Sequence, residues 1–118
     1  MTGHVTGSRI AFGSTSFVTI GGNLTSTTLT GGTGSDTLLV GGTSDTDSLI
    51  LGGGANLVSV VGTVTATTLI GGAGVDSVVF SSALNDVRVE LGAEADYLTA
   101  TSASDAKDST ILGGAGSD

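Results

Sequence analysis

The residues of this chain best suited to chemistry are acidic or amide side chains that return at a fixed interval. They are Asp36, Asn56, Asp76, Asp96 and Asp118, separated by 20, 20, 20 and 22 residues. Each one ends a hexapeptide, and the hexapeptides span 31–36, 51–56, 71–76, 91–96 and 113–118. Four of them contain three glycines each, and the one at 91–96 contains one. Carboxylate and backbone carbonyl oxygens are the ligands that Ca²⁺ prefers. The pattern therefore predicts a row of calcium sites along one edge of a repeat structure.

A stacked row of carboxylates needs a neutralising charge. If the repeats stack at the strand spacing of about 4.8 Å, neighbouring aspartates such as Asp76 and Asp96 repel each other by roughly 3 to 4 kcal/mol at an effective dielectric near 20. A hard cation between the repeats removes this penalty, and glycine-rich corners expose carbonyl oxygens that complete its shell. The predicted ligand set is Gly31, Gly32, Gly34, Asp36, Asn56, Gly71, Gly72, Gly74, Asp76, Asp96, Gly113, Gly114, Gly116 and Asp118.

Ordinary turn chemistry offers an alternative explanation of the same column. Asp and Asn are favoured in turns because their side chains bond to the local backbone, and solvent screens an exposed row of charges. Four of the aspartates outside the column, on the less regular side of the predicted repeat, are predicted to be solvated loop charges rather than ligands. They are Asp45, Asp47, Asp105 and Asp108.

The elements that position the column can be predicted from the apolar residues between the hexapeptides. Pairs alternate as strands require, at Leu38 and Val40, then Val58 and Val60, Val78 and Phe80, and Leu98 and Ala100. A second set precedes the hexapeptides at Leu29, Leu49, Leu69, Val89 and Ile111. A fixed period of this length is typical of stacked repeats. We expect an all-β parallel β-solenoid, with about 20 residues and two short strands in each turn.

Two segments are expected. Residues 1–20 lack a glycine hexapeptide and are predicted to form an irregular N-terminal turn or cap. Residues 21–118 are predicted to form the solenoid repeats. Because the chain stops at the last residue of a hexapeptide, we expect the repeats to continue beyond residue 118.

Composition excludes several classes of function. The formal net charge of −8 argues against nucleic acid or an anionic membrane as partner and favours cations. The chain has no cysteine for disulfides or thiolate sites, and it has no apolar run long enough for a membrane span. With one histidine and no Gly-x-Ser-x-Gly motif, the chain is predicted to be non-catalytic.

Two segments carry a family resemblance. Residues 31–39 and 71–79 match the nonapeptide pattern Gly-Gly-x-Gly-x-Asp-x-apolar-x, and residues 113–118 match it as far as they run. The chain thus resembles the RTX, or hemolysin-type, calcium-binding repeat proteins. The resemblance implies a parallel β-roll that binds calcium in its corners, in proteins exported by type I secretion. The chain departs from that family in its 20-residue spacing and in having one row of such corners; Asn56 and Glu94 also break the pattern.

The leading hypothesis is a non-catalytic, calcium-binding RTX-like segment of a secreted or cell-surface bacterial protein, acting as a structural or adhesive scaffold. One alternative is a metal-independent β-solenoid that associates end to end into an extracellular filament. Another is the repeat module of a larger secreted toxin or hydrolase.

Overall fold

The computed structural model describes residues 1–102 and 106–118, which form a parallel β-solenoid of about five turns. Three sheets run along its sides. The two-residue sheet contains β1 (Val5–Thr6), β4 (Leu24–Thr25), β7 (Ser44–Asp45), β10 (Val64–Thr65) and β13 (Leu84–Asn85). The long sheet contains β2 (Arg9–Ala11), β5 (Thr28–Gly32), β8 (Ser48–Gly53), β11 (Thr68–Ala73), β14 (Arg88–Ala93) and β16 (Thr110–Ala115). The four-residue sheet contains β3 (Phe17–Ile20), β6 (Thr37–Val40), β9 (Leu57–Val60), β12 (Ser77–Phe80) and β15 (Tyr97–Ala100).

The predicted fold class is confirmed, and one detail of the prediction is corrected. The full turns of the structure have three strands where two were expected, because a further two-residue strand lies between the four-residue strand and the long strand. A strand this short is too brief to show an alternating pattern. In β7 the inward position is also polar, since Ser44 occupies it. The described residues include no helix, and hence none that could cross a membrane.

The core consists of stacked columns of aliphatic side chains. Every strand pairs in parallel with the equivalent strand of the next turn, so that Leu69 lies between Leu49 and Val89. The predicted inward positions are confirmed in the middle of the stack, where Val58 and Val78 are fully buried. Burying such side chains contributes about 1.5 to 3 kcal/mol each. The glycine corners and the polar side chains are therefore held in register by this aliphatic stack.

The two ends of the chain differ slightly from the 20-residue period. Residues 1–20, predicted to be an irregular turn or cap, contain strands β1 to β3, which pair in register with the second turn. Two of these pairs join residues 19 apart, including Ile10 with Leu29. Near the other end Asn85 bridges Lys107, so the two extra residues precede that point.

Candidate metal centre at the glycine corner

The glycine corner lies where the long sheet meets the four-residue sheet. It is formed by the five hexapeptides, whose first residues are also the last residues of the long strands. It turns sharply because the backbone adopts left-handed geometry, with φ of 116° at Gly72 and 112° at Gly74. Glycine takes these angles without steric cost. Gly71 is required for a different reason, since a Cβ there would collide with the carbonyl oxygen of Leu91 and with Oδ2 of Asp76.

The predicted column forms a continuous ladder, here called the hexad ladder, made of Asp36, Asn56, Asp76, Asp96 and Asp118. In each rung the side-chain Oδ1 accepts the backbone N–H of the equivalent residue one turn earlier. The five rungs are Ser16 N to Asp36, Asp36 N to Asn56, Asn56 N to Asp76, Asp76 N to Asp96, and Asp96 N to Asp118, at 2.8 to 3.1 Å. The column thus fastens each turn to the next.

The side chains of the ladder are buried in the stack, except that of the last member, Asp118. Asp36 and Asp96 are 3% exposed and Asp76 is fully buried. In each of these three aspartates the second oxygen, Oδ2, is buried and has no hydrogen-bond partner. A buried polar atom without a partner costs about 1 to 3 kcal/mol, and more when it is charged. A proton or a bound cation at these orphaned oxygens would remove that cost.

Backbone oxygens approach two of the orphaned atoms. The space that a Cβ would fill at Gly31 is bounded by Oδ2 of Asp36 and the carbonyl oxygen of Leu51. Gly71 is bounded in the same way by Asp76 and Leu91. A carboxylate oxygen of one turn and a carbonyl oxygen of the next turn therefore border the same small space. Such an all-oxygen donor set suits a hard cation.

Alternate turns of the corner differ in a regular way. Where the hexapeptides at 31–36 and 71–76 begin with glycine, those at 51–56 and 91–96 begin with leucine. The side chains of Leu51 and Leu91 are buried in the core. Asn56 also interrupts the row of carboxylates, because its side chain is an uncharged amide. Its Nδ2 donates to the carbonyl of Gly54 at 3.1 Å and to Oδ1 of Asp76 at 3.0 Å. The candidate donor sets therefore recur at every second turn.

The electrostatics of the ladder oppose a bare negative charge at Asp76. Burial raises the pKa of Asp76 above its ordinary value of 3.8, and the neighbouring Asp96 raises it further. Hydrogen bonds from the backbone and side chain of Asn56 lower this pKa in part. Binding a proton or a cation at this carboxyl group would therefore stabilise the folded state.

The structure brings the predicted ligand residues to one edge, but it spreads their carboxylates along the axis. Nowhere in the described chain do three acidic, histidine or cysteine side chains converge as a metal-binding group. A cation in this corner would need backbone carbonyls in addition to one or two carboxylates. The glycines at 31, 32, 34, 71, 72, 74, 113, 114 and 116 supply the close backbone packing. Asp118 is exposed, and its Oδ1 completes the last rung.

One expectation about the remaining aspartates was wrong. Asp47, predicted to be a solvated loop charge, is 3% exposed. It lies in the tight turn between β7 and β8, a corner that the sequence did not reveal. Asp45 and Asp108 are exposed, as expected, and Asp105 lies outside the described residues. The period itself could have indicated Asp47, since it is 20 residues from both Thr27 and Thr67.

Comparisons with family models, with curated proteins and with solved structures found no match to this chain.

Proposed function

We propose that this chain is a non-catalytic, calcium-binding β-solenoid of the RTX type, serving as a structural or adhesive scaffold in a secreted or cell-surface bacterial protein. The observation that carries the proposal is the set of three buried Oδ2 atoms, on Asp36, Asp76 and Asp96, that lack a hydrogen-bond partner. Export by type I secretion follows from the same family resemblance.

The two glycine positions make the best candidate sites. At Gly31 and Gly71 a carboxylate oxygen and a carbonyl oxygen from successive turns lie against the space left by the missing side chain. Ca²⁺ accepts about six to eight oxygens in flexible geometry, whereas Mg²⁺ demands a near-ideal octahedron. Because these donors come from two turns, a bound cation would join the turns and stabilise the folded solenoid by mass action.

A scaffold role without catalysis is supported by the state of the single histidine. Nδ1 of His4 accepts the backbone N–H of Asn23 at 2.8 Å. That nitrogen is occupied in holding the first turn to the second. The contact accounts for the residue without any role as a general base.

The test is a calcium titration of the chain and of Asp76→Asn. Wild type should bind calcium by isothermal titration calorimetry, and its melting temperature should rise in millimolar calcium but not in equal magnesium. Asp76→Asn keeps an oxygen that can accept the N–H of Asn56, and it removes the buried charge. We expect the variant to lose at least about tenfold in calcium affinity, while in chelator it is as stable as wild type or more so.

Asp45→Asn is the matched control, since Asp45 is exposed on the two-residue sheet and should leave calcium affinity unchanged. Equal melting temperatures in chelator and in millimolar calcium would contradict the metal proposal.

That contrary outcome would favour the metal-independent solenoid. One observation supports this second candidate, because every Oδ1 in the hexad ladder already bonds to the preceding turn without a metal. Such a ladder could serve an end-to-end filament. The chain as the repeat module of a larger secreted toxin or hydrolase is compatible with either chemistry.

A further inference from the structure

The outward face of the four-residue sheet carries a second regular pattern. Each of its strands exposes one apolar residue and one small hydroxyl residue, and their order reverses from each turn to the next. We call this surface the checkerboard face; its residues are Phe17 and Thr19, Thr37 and Leu39, Leu57 and Ser59, Ser77 and Val79, and Tyr97 and Thr99. The parallel register aligns these ten side chains in two columns.

This face is uncharged and half of its positions are apolar or aromatic, although the chain is strongly acidic. Phe17 is 71% exposed, Tyr97 70% and Leu57 38%, although they are large apolar or aromatic residues. All ten positions are uncharged, whereas the chain has a net charge of −8. The exposed charges Asp45 and Arg88 lie on the other two sheets. Two copies can therefore bring this face together without opposing like charges.

We propose that the checkerboard face pairs with the same face of a second copy of this chain, about a two-fold axis parallel to the solenoid axis. That axis keeps each turn opposite the same turn of the partner and reverses the strand direction. The position of Leu57 then lies opposite Ser59 of the second copy, and the same holds for the apolar and hydroxyl residues of every turn. Each large side chain thus meets a small one.

A second two-fold arrangement would also place the whole face against its copy, but it would not put large side chains opposite small ones. If the two-fold axis ran along the strands through the third turn, Leu57 would meet its own copy and Phe17 would meet Tyr97. Apolar side chains would then collide with apolar ones, and Thr37 would face Ser77 across a gap. Sheets that pack face to face do so at about 10 Å, with side chains that interdigitate. The observed alternation suits the axis parallel to the solenoid.

The face is small for a protein–protein interface. Five strands about 4.8 Å apart, each with four residues of about 3.3 Å, give roughly 300 Å² per copy. A standard stable interface buries about 800 Å² per partner. We therefore expect a weak dimer of this chain, and an affinity that increases with each turn added to the face. The proposal goes beyond calcium binding and does not depend on it.

Sedimentation equilibrium from micromolar to millimolar protein tests the pairing, in chelator and again in calcium. Wild type should dimerise with rising concentration in both. Leu57→Lys places a charge at the centre of the face and should weaken association at least about tenfold. Thr65→Lys places the same charge on the two-residue sheet, and it should leave association unchanged. Circular dichroism checks that each variant is folded.

Ser59→Leu distinguishes specific pairing of the two faces from non-specific hydrophobic association. It makes the face more apolar, but it puts two leucines where one leucine met a serine. Our geometry predicts weaker association. Stronger association of Ser59→Leu, equal effects of the two lysine variants, or a monomeric wild type at millimolar concentration would each overturn the proposal.

Discussion

Two ladders, one at each end of the long strands, use the same hydrogen bond with different outcomes. In the hexad ladder a side chain accepts the backbone N–H of the turn before it. The second ladder does this at the other end, where Thr27 N donates to Oδ1 of Asp47 at 2.8 Å and Val87 N donates to Ser109 at 3.1 Å. In both ladders Oδ1 of a buried aspartate holds two turns together. The ladders differ in the second carboxylate oxygen.

Protein groups satisfy that oxygen in the second ladder. Oδ2 of Asp47 accepts the hydroxyl of Ser44 at 2.7 Å and the backbone N–H of Asp45 at 3.0 Å. Oδ2 of Asp76 in the hexad ladder has no such donor. A buried carboxylate is thus complete in one ladder and lacks a partner in the other. This difference, more than the acidic composition, restricts the expected cation to the glycine corner.

The largest effect should come from a carboxylate placed where neither arrangement exists. Val78 is fully buried between Val58 and Leu98, among apolar side chains. Val78→Asp should therefore lower the free energy of unfolding by about 3 kcal/mol or more, and unfold at least the neighbouring turns. Urea denaturation followed by circular dichroism measures the loss. Val79→Asp, outward on the same strand, is the matched control, and a similar cost for both variants would refute the inward assignment.

The equal spacing of apolar residues was enough to predict the columns, since a 20-residue period places Val58 over Val78 in any stacked fold. It was not enough to predict the second ladder. Asp47 resembles a solvated turn residue because the two-residue strand beside it has no visible alternation. The burial of Asp76 was also missed, since aspartate beside glycine usually indicates an exposed turn. In both places the tertiary stack determines burial.

A smaller loss should follow from filling the space beside the hexad ladder. In Gly71→Ala the new Cβ would collide with the carbonyl of Leu91 and with Oδ2 of Asp76. We expect a loss of about 1 to 3 kcal/mol of stability, together with weaker calcium binding. Gly13→Ala, in the corner of the first turn, meets no atom within 4 Å and should change neither. If Gly71→Ala lost stability while its calcium affinity stayed unchanged, the oxygens beside Gly71 would not be ligands.

The two ladders should also respond differently to pH. Burial raises the pKa of Asp47 above its ordinary value of 3.8, so the folded state binds more protons than the unfolded state just above that value. The contribution of Asp47 to stability is therefore complete below pH 3.8 and is lost as pH rises through the folded pKa. In calcium-free buffer, the melting temperature of wild type relative to Asp47→Asn should fall as pH rises.

Calcium should reverse this trend at the hexad ladder. The pKa of Asp76 is raised as well, but a carboxyl group binds calcium only after it loses its proton. The increase in melting temperature caused by calcium should therefore grow with pH, and Asp76→Asn should reduce that growth while Asp47→Asn should not. An increase independent of pH would argue against carboxylate ligands.

The smallest expected effect concerns backbone strain in the two corners that carry the ladders. The glycine corner has glycine at most of its left-handed positions, whereas the turn after the two-residue sheet has left-handed residues with side chains: Ser26, Thr46, Ala66, Asp86 and Asp108. At φ of 47°, Ala66 has the strain that a Cβ creates in this conformation, about 1 kcal/mol. Ala66→Gly should relieve it and stabilise the chain by up to that amount, reduced by the extra freedom of glycine in the unfolded state. Ala73→Gly, at the end of β11 in the same turn, should destabilise by about 0.5 to 1 kcal/mol. Opposite shifts in the urea midpoints of these two alanine-to-glycine variants would establish that the turn after the two-residue sheet stores backbone strain that the glycine corner avoids, and a loss of stability in both would contradict it.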